Sequence, residues 1–299
     1  MKSRSFLKLL CPMVLAAAFT TSAQAVLTGT TSYARTGWTV YTFTDGSGTW
    51  DVPAGATVME VLVIGGGGAT SNYSSGAGAG GMYSTSTYTP TGNVSVTVGA
   101  GGIADNGGGT GLYGGNSHFG SIIAYGGQGI WGYRDAGDPT QSSSVHGGNQ
   151  GGYSTNNGGT ITAGNLGGFA EWDGAFDSGA GAGAAGTHGN NAAGGIGMQD
   201  DITGTNIYYA GGGGAYNNGP GGQGGGGTGG QEPTAGLANT GGGGGGGWEI
   251  EGANGGSGVV IVALYGEFAP LSSIPEPSSI LALGCLVGSG LMLRNRRRK

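Results

Sequence analysis

The sequence predicts an all-β protein: a β-sandwich-like scaffold with long glycine-rich insertions, followed by a single transmembrane helix at the C-terminus. Three observations lead there. Glycine supplies 77 of 299 residues, against an average usage of about 7%. Runs of β-branched and aromatic residues bracket the glycine-rich text. Finally, a nearly unbroken apolar stretch, 278–293, lies just before a basic end.

The strands follow in order. Trp38 to Phe43 alternates in the manner of a half-buried strand, and a turn containing Asp45-Gly46-Ser47-Gly48 leads to Thr49 to Val52. After the Pro53-Ala54-Gly55 turn, Thr57 to Ile64 ends in a continuous apolar run that reads as a buried strand. Gly81 to Thr89 and Asn93 to Val98 flank Pro90-Thr91-Gly92 and predict a hairpin, with Ser121 to Tyr125 as a further short strand. Gly258 to Leu264 is apolar enough to require a central position. The first strands and this last one must pair, because neither has another place to be buried.

Between them, about Gly126 to Gly256, glycine dominates and reads as an elaboration of the scaffold. Thirteen tyrosines and five tryptophans in the chain argue against disorder, and no sustained Gly-X-Y register supports collagen. The extended threefold polyglycine II helix is available to Gly211–Gly214, Gly224–Gly227 and Gly241–Gly247, rising about 3.1 Å per residue. Flexible loops are the competing reading.

Both ends read as addresses. Lys2, Arg4 and Lys8, an apolar centre from Leu9 to Phe19, and Ala23-Gln24-Ala25 describe a signal peptide over 1–25. Residues 26–270 form the expected glycine-rich β domain, and 271–299 a C-terminal signal. That signal comprises Pro275-Glu276-Pro277, a helix over 278–293, and a basic tail over 294–299 that stays cytoplasmic. Without both ends only Arg35 and Arg134 remain against fifteen acids, a net charge of −13. Such a surface repels nucleic acid and anionic lipid headgroups. Cys11 and Cys285 both lie in the targeting segments, so the body has neither disulfide nor cysteine-bound metal.

The order of Pro275-Glu276-Pro277, apolar span and Arg294, Arg296, Arg297, Arg298 resembles the PEP-CTERM sorting signal. Gram-negative bacteria with exopolysaccharide pair that signal with a membrane peptidase, exosortase. The resemblance implies an exosortase-type partner and cleavage near Pro275 to Pro277. It also implies initial membrane anchoring and a destination in the envelope, cell surface or extracellular matrix. In the body, Val52-Pro53-Ala54-Gly55, Val61 to Gly68, Val96 to Gly102 and Gly255 to Val262 look like the glycine-rich domain of bacterial surface and phage tail-fibre-like proteins. That family is structural or adhesive and carries no catalytic residues across.

Chemistry-bearing clusters are sparse. Val61 to Ala69 looks like the strand and glycine turn of a dinucleotide fold, but Ser71 to Gly81 is too rich in Gly and Ser to begin the helix that would hold pyrophosphate. His118, His146 and His188 lack helical ligand spacing. Glu171, Asp173, Asp177, Asp200 and Asp201 offer carboxylates for calcium or a glycosidase pair, without a regular calcium-loop pattern; solvated loop charge is the plainer reading. Trp131, Tyr133, Phe169, Trp172 and Trp248 are either a glycan-stacking platform or plugs in a core short of bulk. The expectation is a non-enzymatic, exported surface or matrix protein, structural or adhesive in an exopolysaccharide layer, with no cofactor, metal or nucleic acid. The alternative is a secreted carbohydrate-binding or carbohydrate-cleaving protein using residues of 131–201.

Overall fold

The structure, a computed structural model, describes residue 27 and residues 29–71, 74–104, 113–129, 154–155, 178–189, 191–247 and 252–266. The segments 1–25 and 271–299 lie outside these, as do Ala23, Ala25 and the residues of the C-terminal signal. The described residues are all-β and contain no helix. Twelve strands follow in order: β1 (Thr30–Ser32), β2 (Trp38–Phe43), β3 (Ser47–Trp50), β4 (Met59–Ile64), β5 (Met82–Tyr88), β6 (Val94–Thr97), β7 (Ser117–Phe119), β8 (Ile122–Ala124), β9 (Ser154–Thr155), β10 (Met198–Asp200), β11 (Ile207–Tyr209) and β12 (Val259–Tyr265).

They form a sandwich-like pair of five-stranded sheets, ordered β1-β2-β12-β4-β5 and β3-β6-β7-β8-β9, with β10-β11 as a separate two-stranded sheet. The last long strand, β12, is inserted between the early strands β2 and β4, antiparallel to both; Val262 sits opposite Tyr41 on one side and Val61 on the other. This is the central position its apolarity requires.

The first sheet is buried on both faces, which explains why β4 and β12 are apolar at nearly every position rather than at alternate ones. Val61, Val63, Val260, Val262 and Leu264 face the second sheet and pack with Trp50, Val96, Phe119 and Ile122. Leu62, Ile64, Val259, Ile261 and Ala263 face the other way, onto Ala79, Ala182, Ile202, Tyr209 and Ala210. Each Val, Leu, Ile or Phe among these contributes about 1.5–3 kcal/mol on full burial. Trp50 anchors the aromatic part of the inner core, with ring centroids 5.2 Å from Tyr41 and 5.8 Å from Phe43.

The glycine segments are continuations of these strands beyond one end of the sandwich. Gly65–Gly68 runs on from β4, while 76–81 leads into β5 and 252–258 into β12. Two sheets normally stand about 10 Å apart because side chains fill the space. Here that spacing collapses: Gly66 N donates to Gly115 O at 2.9 Å and Gly258 N to Gly99 O at 2.8 Å, joining extensions of the two sheets directly. Successive residues donate in different directions, and every third returns to the same neighbour. Gly65 and Gly68 donate to Gly81 and Gly78, Ala77 and Gly80 to Gly244 and Gly241, and Gly243 and Gly246 to Gly211 and Gly214. Segment 65–70 is thereby enclosed by 76–81, 99–102, 114–116, 125–128, 241–245 and 252–256.

At most of the glycine positions in this array no Cβ fits. One placed on Gly67 would fall within 3.0 Å of Gly242 O and of Gly241 O, and one on Gly213 would strike Gly244 O. The side chains buried in it are short: alanines, and hydroxyls that are hydrogen-bonded. The buried Ser117 hydroxyl donates to Ile64 O at 2.6 Å and accepts from Gly99 N at 2.9 Å, while Thr70 Oγ1 donates to Gly245 O at 2.8 Å.

Several expectations are corrected. β5 and β6 are not a hairpin: β5 pairs with β4 and β6 with β3, so residues 89–93 carry the chain from one sheet to the other. The glycine array does not begin at Gly126, since Gly65–Gly68 and 76–81 are at its heart. Gly224 and Gly225, at φ +106° and +95°, make a turn rather than continuing an extended run. β3 begins at Ser47, inside the expected turn.

Gly67→Ala is expected to lower the stability of the protein by about 3 kcal/mol through overpacking, whereas exposed Ser95→Ala stays within about 0.5 kcal/mol; chemical denaturation measures both. Burial raises the pKa of the Tyr41, Tyr88 and Tyr209 phenols above the ordinary value. The unfolded chain therefore loses these protons first, so stability is full below about pH 10 and falls as pH rises toward the folded-state values. Denaturation midpoints measured across that range should decline, and less so in Tyr209→Phe.

Candidate functional site

Of the acidic residues that the sequence singles out, Asp200 and Asp201 are described; Trp131, Glu171, Trp172, Asp173 and Asp177 lie outside the described residues, as do Tyr133, Phe169 and Trp248. Asp200 ends β10, where pairing with Ile207 of β11 fixes its backbone. Its Oδ2 accepts from Ser84 Oγ at 2.6 Å and its Oδ1 from Ile202 N at 2.9 Å. One carboxylate thus fastens the β10-β11 sheet to the β5 edge and caps the turn that follows. Each oxygen holds one hydrogen bond of this kind, which makes Asp200 a structural anchor.

Asp201 stands at the start of that turn, and the turn leans on Arg35: a Cβ on Gly204 would meet the Arg35 side chain at 3.1 Å. Arg35 forms an ion pair with Glu60 of β4, with Nη2 to Oε1 at 3.2 Å in addition to the contact of Nη1 with Oε2. Its guanidinium carbon lies 4.0 Å from the centre of the Trp38 ring. Trp38 in turn meets Tyr265 edge-on at 5.5 Å. The Glu60 hydrogen bond raises the Arg35 pKa; burial opposes the shift, and the charges of Glu60, Asp201 and Asp200 add to it. Burial, then Asp200, raises the pKa of the Tyr209 phenol.

Sequence reasoning assigned these acids to solvent, calcium or catalysis and missed Arg35, Trp38 and Glu60. A usable signal existed: Arg35 is one of two cations in a body of fifteen acids, so it was bound to find a carboxylate. The arrangement closes one pole of the first sheet, at the start of β4 and the end of β12, opposite the glycine array.

The remaining candidates are dispersed. His118 lies on β7, opposite Ile123, and His188 is an exposed residue of segment 178–189; His146 is outside the described residues. Among the described residues no group of three or more His, Cys, Asp or Glu is placed to hold a metal ion. The glycine run after β4 has its amides engaged, because Gly65, Gly66, Gly67 and Gly68 all donate to backbone carbonyls. A phosphate would find no free donor there, and no helix follows.

Arg35→Ala is expected to cost about 1–2 kcal/mol, the combined scale of a part-buried ion pair and a cation–π contact. Arg35→Lys should recover only part, since lysine lacks the planar fork that engages both Glu60 oxygens. Denaturation at low and at 1 M salt separates the contributions: the ion-pair part shrinks with salt and the stacking part persists.

A family model described as a glycine-rich domain matches residues 42–265. No curated protein matches the chain.

Proposed function

We propose, for a chain that belongs to the glycine-rich domain family, a non-enzymatic structural or adhesive role at the cell surface or in the extracellular matrix of a Gram-negative bacterium. The observation that carries this reading is the hydrogen-bonded glycine array. Catalysis needs side chains converging on a space, and the glycine array is given over to backbone packed on backbone. The every-third-residue repeat of hydrogen bonds and the exclusion of Cβ atoms fit polyglycine II helices packed side by side. Such a body needs neither disulfide nor metal to stay rigid, which suits an exported protein exposed to variable surroundings.

Delivery rests on the two ends of the sequence. The leader ending at Ala23-Gln24-Ala25 is exported and removed. The PEP-CTERM-like segment holds the chain in the membrane until an exosortase-type peptidase cuts near Pro275-Glu276-Pro277, leaving it in the exopolysaccharide layer. The fold agrees with a tether there: β12 runs away from the glycine array, so Tyr265 and Gly266 leave the domain at the far pole. An attachment beyond Gly266 directs the array outward.

Intact mass and fractionation of the protein from cells with and without the sorting peptidase test this. The expected mature chain starts at Val26, ends near Pro277 and resides in the matrix. An uncut chain held in the membrane of peptidase-bearing cells would contradict the sorting step.

A further inference from the structure

We infer that the outer end of the glycine array carries a binding site for a neutral saccharide, an inference that rests on the adhesive reading above and names its ligand class. A cavity of about 710 Å³ opens between residues 216–218 and 228–234, within the range of about 300–1,000 Å³ typical of ligand sites. Its place in the fold follows from the array. Gly241 lies against Ile64 at the sandwich end, and segment 241–247 runs outward from there, with 226–230 parallel beside it as Gly227 and Gly230 donate to Gly243 and Gly246. The cavity therefore sits where these segments finish, at the opposite extreme from Tyr265.

Its walls are fixed before any ligand arrives. Gly229 N donates to Gly219 O at 2.9 Å and Gly230 N to Gly246 O at 3.0 Å, so the floor belongs to the array. Thr234 Oγ1 accepts from Thr228 N at 2.7 Å and closes the far loop. Asn218 holds a left-handed backbone at φ +59°, and its Oδ1 lies 3.1 Å from where a Cβ on Gly230 would stand.

The lining is chemically selective. Asn217, Asn218 and Gln231 present amides that both donate and accept, and the Glu232 carboxylate accepts two hydrogen bonds. Pairs of vicinal hydroxyls on a sugar match such planar groups. Tyr216 adds an aromatic ring, a surface with an apolar body and a polar tip, suited to the C–H face of a pyranose. The only cation among the described residues, Arg35, is at the other pole and already paired with Glu60. Among the described residues no cation faces this carboxylate, which on an acidic body disfavours uronates, phosphates and nucleotides and leaves neutral sugars.

The test uses the full chain and calorimetric titration with neutral tetrasaccharides of glucose, mannose and galactose, alongside a uronate tetrasaccharide. The proposal expects saturable binding of at least one neutral sugar, little or none of the uronate, and at least about tenfold weaker binding, or 1.4 kcal/mol, in Tyr216→Ala and Glu232→Gln. Glu232 is exposed, so Glu232→Gln should keep the parent unfolding midpoint and carries the test alone if Tyr216→Ala fails to fold. No saturation by any neutral sugar at about 10 mM, a reach of weak millimolar sites, overturns the inference. Binding unchanged by Glu232→Gln, or preference for the uronate, overturns it as well. A chain that resides in the matrix yet fails this titration loses the cavity assignment and keeps the proposed function.

Discussion

Everything in this domain depends on one contact: a glycine amide bonded to a carbonyl of a chain segment that no side chain holds away. Fixing a residue costs about 1–2 kcal/mol of backbone entropy, more for glycine, while a backbone hydrogen bond contributes about 0.5–1.5 kcal/mol net. The terms nearly cancel, so a glycine array is not self-supporting on hydrogen bonds alone. It becomes stable because its segments are delivered already parallel or antiparallel, and already in register, by the strands from which they continue.

The dependence runs in both directions. The sheet that contains β12 buries its inner face on Trp50 and Phe119 of the second sheet, but its outer face would lie open without Ala79, Ala182 and Ala210 of the array and Ile202 and Tyr209 of the β10-β11 sheet. The array covers that face with alanines because a larger group would part the segments. Asp200 then fastens the β10-β11 sheet to Ser84 of β5, while the turn after β10 rests on Arg35, itself paired with Glu60 of β4. These charges serve architecture, and the arrangement explains how a domain so poor in bulky side chains retains a core.

What was legible in the sequence is what burial dictates locally. β4 and β12 were readable because both faces are covered and each position had to be apolar; Trp38–Phe43 was read to the residue. The hairpin at Pro90-Thr91-Gly92 was misread because a turn signal marks where a chain bends without marking which strands pair, and here the bend crosses between sheets. β7, β10 and β11, three residues each, carry too short a pattern to stand out from the glycine text. The extent of the array was hidden for a related reason: a hydrogen bond such as Gly67 to Gly256 joins residues far apart in sequence, and glycine has no side chain to record the pairing. The Asp200 contact with Ser84 spans 116 residues and was equally invisible.

Amide hydrogen exchange on the intact protein tests the central claim most directly. If the array is a hydrogen-bonded structure continuous with the sandwich, the amides of Gly65–Gly68, 77–81 and 241–246 exchange as slowly as those of Val61–Ile64 and Val259–Leu264, near the limit set by global unfolding. Exchange of those glycine amides at the rates of an unstructured chain, with the strands still protected, would contradict it.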